Sequence, residues 1–472
     1  MNIYIPIEIK VRELEGKTLL ALAAAERGHI VILGSKENTI NLAKKGILPP
    51  GIVHDKSLTP GNYKLENYKN LKHFGHLITA QDEESGLLDE SFEKFATQRF
   101  SSDTIAYADK IFTWGNHDYN SLTKLYPDYT DKFINTGSPR VDLWRNELSA
   151  YYSGKESVLI DDKPYILIVS NFSSLLDNNK FWDRVSRLRE AGYFERDSEM
   201  ERYMYYNSAY QLKLIHAFVE LTRNLADTFP ELHIVIRPHP VESIDGWKKL
   251  IGKCPNIIIE RQGSISGWIR KAIAIIHNGC TSAIEASATD IPRIAYRPIP
   301  HELEREIPNK MSIDASSIDQ VSTLIKQLIH SGTCRGIQES DERAQRVLKH
   351  RFSNLTGEMA VDKIVDAWEI AAHDNGLNHL DLNDILRKKP INNRAFHLLK
   401  NTYSKIKKIV NGKHIHATGK NTLLVSSHKF SSLTEDEMTE ISKHLKNTLS
   451  RFQNVQMKTF GDKTFIFYSD NG

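Results

Sequence analysis

The sequence predicts an α/β protein with two doubly wound parallel-sheet domains facing a cleft and a small C-terminal α+β appendage. Three observations carry this expectation. Short apolar, β-branched runs alternate with Ala/Leu-rich or amphipathic stretches over roughly the first 375 residues, the grammar of βαβ units. Several runs end in polar residues, glycine or proline, and open α/β sheets bind ligands outside the carboxyl ends of their strands. At 472 residues the chain is too long for one ordinary core.

Bulk properties narrow the class. A 40% hydrophobic and 26% charged composition is that of a soluble globular protein. The net charge of +3 makes no demand for nucleic acid. From Leu380 onward, however, 16 Lys and Arg face 8 Asp and Glu, a basic tail suited to an anionic surface such as the inner membrane face. Three cysteines without CxxC spacing support neither a disulfide scaffold nor zinc, and fit a reducing cytoplasm. The N-terminus has no long apolar core of a signal peptide, and no run of about 18 apolar residues offers a membrane span. The expected place is the cytoplasm, at most peripheral to the inner membrane, with no metal and no cofactor.

Asn2–Ile9 reads as a strand, 16–28 (GKTLLALAAAERG) as a buried helix and His29–Leu33 as a second strand. Glu8, Arg12, Glu13 and Glu15 fall in the expected link at the first strand's carboxyl edge. Glu13 serves there equally as a catalytic group or as an electrostatic favour to the helix start. Leu77–Thr79 is a strand followed by Asp82, Glu83 and Glu84, which face either solvent or the cleft. Ala108–Trp114 and Phe133–Thr136 are further strands, the latter followed by Gly137, Ser138, Pro139 and Arg140. The polar stretch 145–163 is the expected linker. The resulting division is 1–150, 160–375 and a basic extension, 376–472.

In the second domain Tyr165–Ser170 is a strand delivering Asn171, Ser173 and Ser174. Phe181–Tyr206 and Ser208–Phe229 read as two helices. The stretch Ile234–Ala288 organises the rest. Its first strand ends in Arg237, Pro238, His239 and Pro240; its later strand leads through His277, Asn278, Gly279 and Cys280 to Thr281, Ser282 and Glu285. Backbone amides and hydroxyls at a helix start favour an anion. Arg237 offers a planar cationic fork and His239 a group that titrates near neutrality. The bland alternatives are an N-cap and a plain strand exit. Gly263 and Trp268 read either as a base-embracing loop or as core. Beyond residue 375, Ala395–Val410 mixes an apolar stripe with lysines, Glu435–Phe452 reads as a helix and Gln456–Tyr468 as a hairpin.

Glu8-x-x-x-Arg12-Glu13, Asp82-Glu83-Glu84-x-Gly86, Gly137-Ser138-Pro139-Arg140-x-Asp142, Arg237-Pro238-His239-Pro240 and His277-x-Gly279-Cys280-Thr281-Ser282-x-x-Glu285 occur in this order. That succession resembles bacterial surface carbohydrate biosynthesis proteins of capsule and O-antigen systems, over roughly residues 1–375. The His-Pro and hydroxyl pairs also resemble the nucleotide motifs of sialyltransferases, Kdo transferases and teichoic-acid glycerophosphotransferases of the glycosyltransferase B (GT-B) architecture. The resemblance implies a nucleotide-sugar domain in the second half and an acceptor side in the first. It implies a glycosyltransferase that takes a CMP- or CDP-linked donor as substrate and a glycan or lipid-linked acceptor, without metal. His239 would stand at the donor phosphate, with Arg237, Pro240, His277, Asn278, Gly279, Cys280, Thr281 and Ser282 around the nucleotide and Glu285 toward the ribose. Glu13 or Glu83 would act as base, with Glu8, Arg12, Asp82, Glu84, Ser138, Arg140, Asn171, Ser173, Gly263 and Trp268 lining the cleft. An epimerase or hydrolase acting on a nucleotide sugar, or a non-catalytic assembly protein, are the alternatives.

Overall fold

The computed structural model describes residues 1–87, 92–152, 163–172, 175–190, 192–196, 198–377, 433–461 and 463–469. The chain forms two compact units, Met1–Tyr151 with His350–Gly472, and Tyr152–Lys349. Each is a Rossmann-like α/β sheet, the expected fold class.

The first unit's sheet contains β1 (Asn2–Ile7), β2 (Ile30–Ser35), β3 (Ile52–Asp55), β4 (Leu77–Gln81), β5 (Lys110–Thr113) and β6 (Phe133–Asn135). They run in the order β2-β1-β3-β4-β5-β6, all parallel. β1 to β4 are buried on both faces, which is why they read as continuous apolar runs rather than alternating ones. The order reverses at β1/β3, and such a switch point opens a crevice at the carboxyl ends.

Two expectations change here. The first helix is Lys10–Glu26, so Arg12, Glu13 and Glu15 lie in its first turns rather than in a link. Glu13 explains the early start. Its carboxylate turns back to accept the backbone N–H groups of Glu8 and Ile9, each at 3.0 Å, satisfying donors that a helix start leaves orphaned.

The expected appendage also joins the first sheet. The strands β13 (Val455–Gly461) and β14 (Thr464–Ser469) form a hairpin, and β14 pairs antiparallel with β2. Gly34 on β2 makes this possible, since a Cβ there would come within 2.7 Å of the Lys463 carbonyl. The helix Ala360–Asp374 likewise belongs to the first unit. Its Trp368 is fully buried and donates to Thr79 Oγ1 at 3.0 Å. Ala395–Val410 lies outside the described residues, as do 153–162 of the expected linker; 146–152 form a 3₁₀ turn.

The second unit holds β7 (Tyr165–Val169), β8 (His233–Arg237), β9 (Ile257–Ile259), β10 (Ile275–His277), β11 (Arg293–Tyr296) and β12 (Ile313–Ala315). Their order is β12-β11-β10-β7-β8-β9, parallel throughout. Counted along the unit, this is 6-5-4-1-2-3, the Rossmann dinucleotide order, with its switch point between β7 and β10. Its apolar core includes Ile166, Ile168, Phe218, Ile234, Ile236 and Trp247. The two helices expected over 181–229 are instead Asn178–Glu190, a short turn and one helix, Ser198–Thr228. No helix among the described residues is long and apolar enough to cross a membrane.

Candidate functional site

In the second unit the tips of β8 and β10 share the carboxyl edge with β7 between them, so strand order places the expected crevice between the Ser170–Asn171 and 278–282 turns. Buried Glu242 builds one wall. It accepts from Ser170 Oγ at 2.6 Å, Phe172 N–H at 2.6 Å and Trp247 Nε1 at 2.8 Å, tying the loop after β8 to the loop after β7. Burial raises its carboxyl above the usual range despite these donors. Asn171 is half-buried, and Ser173 lies outside the described residues.

His239 is half-buried, and its Nδ1 accepts the Val241 N–H at 3.3 Å. With Nδ1 as acceptor, the neutral ring carries its proton on Nε2. Pro240 is exposed, and its carbonyl accepts from Arg261 at 3.3 Å.

Several expected ligands have other employment. Arg237 donates to the carbonyls of Gln262 (2.5 Å) and Gly263 (2.9 Å) and stands 5.2 Å over the Trp268 ring. Its fork thus fixes the loop after β9 rather than a phosphate. Trp268 is 0% exposed and donates to the same Gln262 carbonyl at 2.9 Å, so it is core and no base can stack on it. Gly263 takes a left-handed φ of 77° within that turn. His277 is fully buried and shares a 2.8 Å bond with Ser312 Oγ; burial and nearby Arg293 push its ring down to about 3. It is a neutral structural histidine. Glu285, 3% exposed, accepts a short bond from Ser266, which directs it to the helix Ile265–Lys271 rather than to a ribose.

The turn itself remains at the crevice. Asn278 donates to the Tyr296 carbonyl at 3.0 Å and the Gly279 N–H donates to Asn309 at 2.8 Å. Cys280 is buried, lies 3.5 Å from Ser282 Oγ, and its thiol is pushed up by burial. Thr281 and Ser282 are half-buried at the start of the helix Ser282–Ser287, and the Thr281 hydroxyl makes no capping bond. Arg305, which sequence reasoning passed over, lies against this turn: a Cβ on Gly279 would come within 2.9 Å of Arg305 Cβ.

The first unit gathers charge at its own switch point. Glu8 follows β1 and meets Lys36 (3.2 Å) and Lys56 (3.3 Å). Glu13 is 2% exposed, and Lys17 lies 2.8 Å from Glu13 and 3.2 Å from Glu83. Burial opposes the charge of Glu13, but Lys17 and Lys56 hold its carboxyl below the usual range. Glu83 goes the other way, raised by burial that outweighs Lys17, with the charge of Glu13 adding to the rise. Asp82 is pushed up to about 6 by burial in spite of Arg99; it accepts from Arg99 Nε (2.8 Å) and the Glu84 N–H (3.0 Å). Arg12 pairs with Glu84 at 2.5 Å. Ser138, 1% exposed, caps the Pro139–Asp142 turn by accepting the Arg140 N–H, so it is structural.

Arg12, Glu13, Lys17, His54, Gln81, Glu83 and Arg140 line one pocket of about 10 Å³, room for a single hydroxyl or water. Lys17, His54 and Gln81 were missed from sequence. His54 and Gln81 sit on β3 and β4, and the short run Ile52–Asp55 was the strand signal that pointed there. Among the described residues no cluster of three or more His, Cys, Asp or Glu is placed to hold a metal ion.

No family model matches the chain, and no curated protein matches it. Among solved structures it is similar to MnaA of S. aureus with UDP (14% identity, TM-score 0.45, 80% of this chain and 98% of that one). It is similar too to the UDP-GlcNAc 2-epimerase of Neisseria meningitidis bound to UDP-GlcNAc (13%, 0.43, 78% and 100%). A third is the wall teichoic acid polymerase TagF (12%, 0.43, 70% and 73%).

Proposed function

We propose that the chain is a glycosyltransferase of surface polysaccharide synthesis that binds a CMP- or CDP-linked sugar on its second unit and an acceptor hydroxyl on its first. The observation that carries this reading is the 6-5-4-1-2-3 strand order of the second unit. Its switch point falls between the Ser170–Asn171 and Asn278–Ser282 turns, where nucleotides bind in this topology. Thr281, Ser282 and the turn amides would hold the phosphates, with Arg305 rather than Arg237 as the neighbouring cation. His239, with its proton on Nε2, would donate a hydrogen bond to the departing nucleotide phosphate. Glu83, which burial holds above the usual carboxylate range, is the group of the first unit suited to take a proton from an acceptor hydroxyl.

Thermal shift and calorimetry with CMP, CDP, UDP and GDP test the reading. A cytidine nucleotide that raises the melting temperature supports it, and no shift with any of the four ends it. Product analysis of the nucleotide sugar without acceptor then separates chemistries. Release of the sugar, or inversion at one of its carbons, would make the chain a hydrolase or epimerase instead.

A further inference from the structure

His54 brings to the first unit's pocket a ring whose proton the surrounding bonds assign. His54 and Thr79 are register partners on β3 and β4. His54 Nδ1 lies 3.1 Å from Thr79 Oγ1, and the same oxygen accepts the Trp368 indole N–H at 3.0 Å. All three side chains are buried. An indole nitrogen only donates, and a hydroxyl has one proton to give. With the Trp368 proton on its oxygen, Thr79 donates to Nδ1. The opposite assignment would bring two donors to one oxygen and strand a buried hydroxyl proton. The neutral His54 ring therefore carries its own proton on Nε2.

The ring is held in place and kept neutral. Trp368 meets it edge-on with centroids 5.3 Å apart at 70°, and Phe112 lies against it at 5.7 Å. Burial and then the charge of Lys17 push it down to about 3, so near neutral pH it is a hydrogen-bond donor and not an acid or base. His54 and Glu83 line the same pocket of about 10 Å³. With Nδ1 taken by Thr79, Nε2 is the polar edge that His54 has left to offer there. Other liners are engaged: Lys17 with Glu13 and Glu83, Arg12 with Glu84, and Gln81 Nε2 with the Gly137 carbonyl at 2.7 Å. The side chains of Glu83 and Arg12 remain 12% and 25% exposed, which gives the pocket a side open to solvent.

We propose that His54 is a catalytic residue of the first unit: its Nε2–H holds the oxygen of the attacking hydroxyl in this pocket, with that hydroxyl's proton turned to Glu83. This rests on the transferase reading above. The occupant must accept from His54 and donate to Glu83. A hydroxyl does both, whereas an ammonium has no lone pair for the ring N–H and an ether no proton for the carboxylate. As Glu83 draws the proton away, charge gathers on the oxygen, and a donor already oriented strengthens its bond without reorganisation. Two sources carry this chemistry, an acceptor alcohol and water.

Two measurements on the full chain test this. Long-range ¹H–¹⁵N spectra of histidine-labelled protein, with the His54 signals identified by their loss in His54→Gln, should show a ring protonated on Nε2 alone from pH 5 to 8. Protonation on Nδ1, or a charged ring, overturns the proposal whatever the enzyme does. Consumption of CMP-N-acetylneuraminic acid, CDP-glycerol and UDP-N-acetylglucosamine is then followed with and without glycerol or lactose as the alcohol. His54→Phe should lower kcat by about 10²–10³-fold, the usual loss for one preorganised donor, with KM for the nucleotide sugar unchanged. His54→Gln, whose amide can place an N–H near the Nε2 position, should recover most of that loss. If only transfer to the alcohol falls, the oxygen is the acceptor's; if only hydrolysis is seen and falls, it is water. A kcat in His54→Phe equal to that of the wild type overturns the proposal and leaves the transferase reading intact. Equal losses in His54→Phe and His54→Gln would mark the ring as structural and overturn it too. A wild type that consumes no member of the panel removes both.

Discussion

Glu13 and Glu83 share one ammonium, Lys17, which lies 2.8 Å from the first and 3.2 Å from the second. The two carboxylates are not equivalent. Glu13 also accepts two backbone N–H groups at the start of its helix, so its charge is built into the fold. Glu83 is held above the usual carboxylate range by burial, which suits a base poised toward neutrality. Glu83→Gln should lower transfer by about 10²–10⁴-fold with little change in melting temperature. Glu13→Ala should cost about 3–5 kcal/mol of stability, the usual loss when one partner of a buried pair is removed. Steady-state rates and chemical denaturation of both variants decide the matter. A stable, inactive Glu13→Ala beside an active Glu83→Gln would reverse the assignment.

Asp142 acts as a cap for a helix more than 200 residues away. It accepts the Ala360 N–H at 2.9 Å, the Val361 N–H at 3.0 Å and Asn354 Nδ2 at 2.6 Å. The helix Ala360–Asp374 has no cap from its own Met359. Asp142→Asn would turn one accepting oxygen into a donor facing these N–H groups, at a cost of about 1–3 kcal/mol. Hydrogen exchange at Ala360 and Val361 should accelerate before exchange elsewhere in that unit. Unaltered exchange at those two amides would refute the capping role.

His54 and His277 set a pH dependence, one in each unit. Burial drives both folded rings down to about 3, against an ordinary value near 6.5. Between those values the unfolded chain takes up protons that the folded chain refuses. Stability is therefore full above about pH 6.5 and falls as pH drops toward 3, at up to about 1.4 kcal/mol per pH unit for each ring. Melting temperatures from pH 7.5 to 4 should fall less, or rise more, in His54→Phe and His277→Phe than in the wild type. Buried Asp82 and Asp142, raised to about 6 and about 7, take up protons first in the fold and oppose this slope, so the decisive reading is the difference between each histidine variant and the wild type. No difference in slope would mean that these rings are charged in the fold.

Strand tips were legible in the sequence because an apolar run followed by polar, Gly or Pro residues has one reading in a parallel sheet. That located the carboxyl edges bearing His239, Asn278 and Glu83. Partners distant in sequence were not legible. Arg237, His277 and Glu285 look like ligands in isolation, but each is taken by a group 19 to 35 residues away: Gln262, Ser312 and Ser266. Periodicity specifies which face a residue occupies, not which carbonyl a later loop brings to it. The hairpin at 455–469 was visible as a hairpin, yet its place beside β2 depends on Gly34, whose missing side chain admits β14.

The His239 ring is oriented by its own loop, since Nδ1 accepts the Val241 N–H and the neutral tautomer then presents N–H at Nε2. Two roles are open to that edge: a hydrogen bond to the departing phosphate from the neutral ring, or transfer of the proton itself, which requires the ring to be charged and Nδ1 to release the Val241 N–H. His239→Ala should reduce turnover by about 10²–10⁴-fold in either case. His239→Gln divides them, because a glutamine amide can place an N–H near the Nε2 position but cannot release a proton at neutral pH. Recovery of most of the lost rate in His239→Gln would assign a hydrogen bond. A rate as low as that of His239→Ala, together with loss of the alkaline limb of the wild-type kcat profile, would assign proton donation. Wild-type turnover in His239→Ala would remove this residue from the chemistry and leave the phosphate to the 279–282 turn and Arg305.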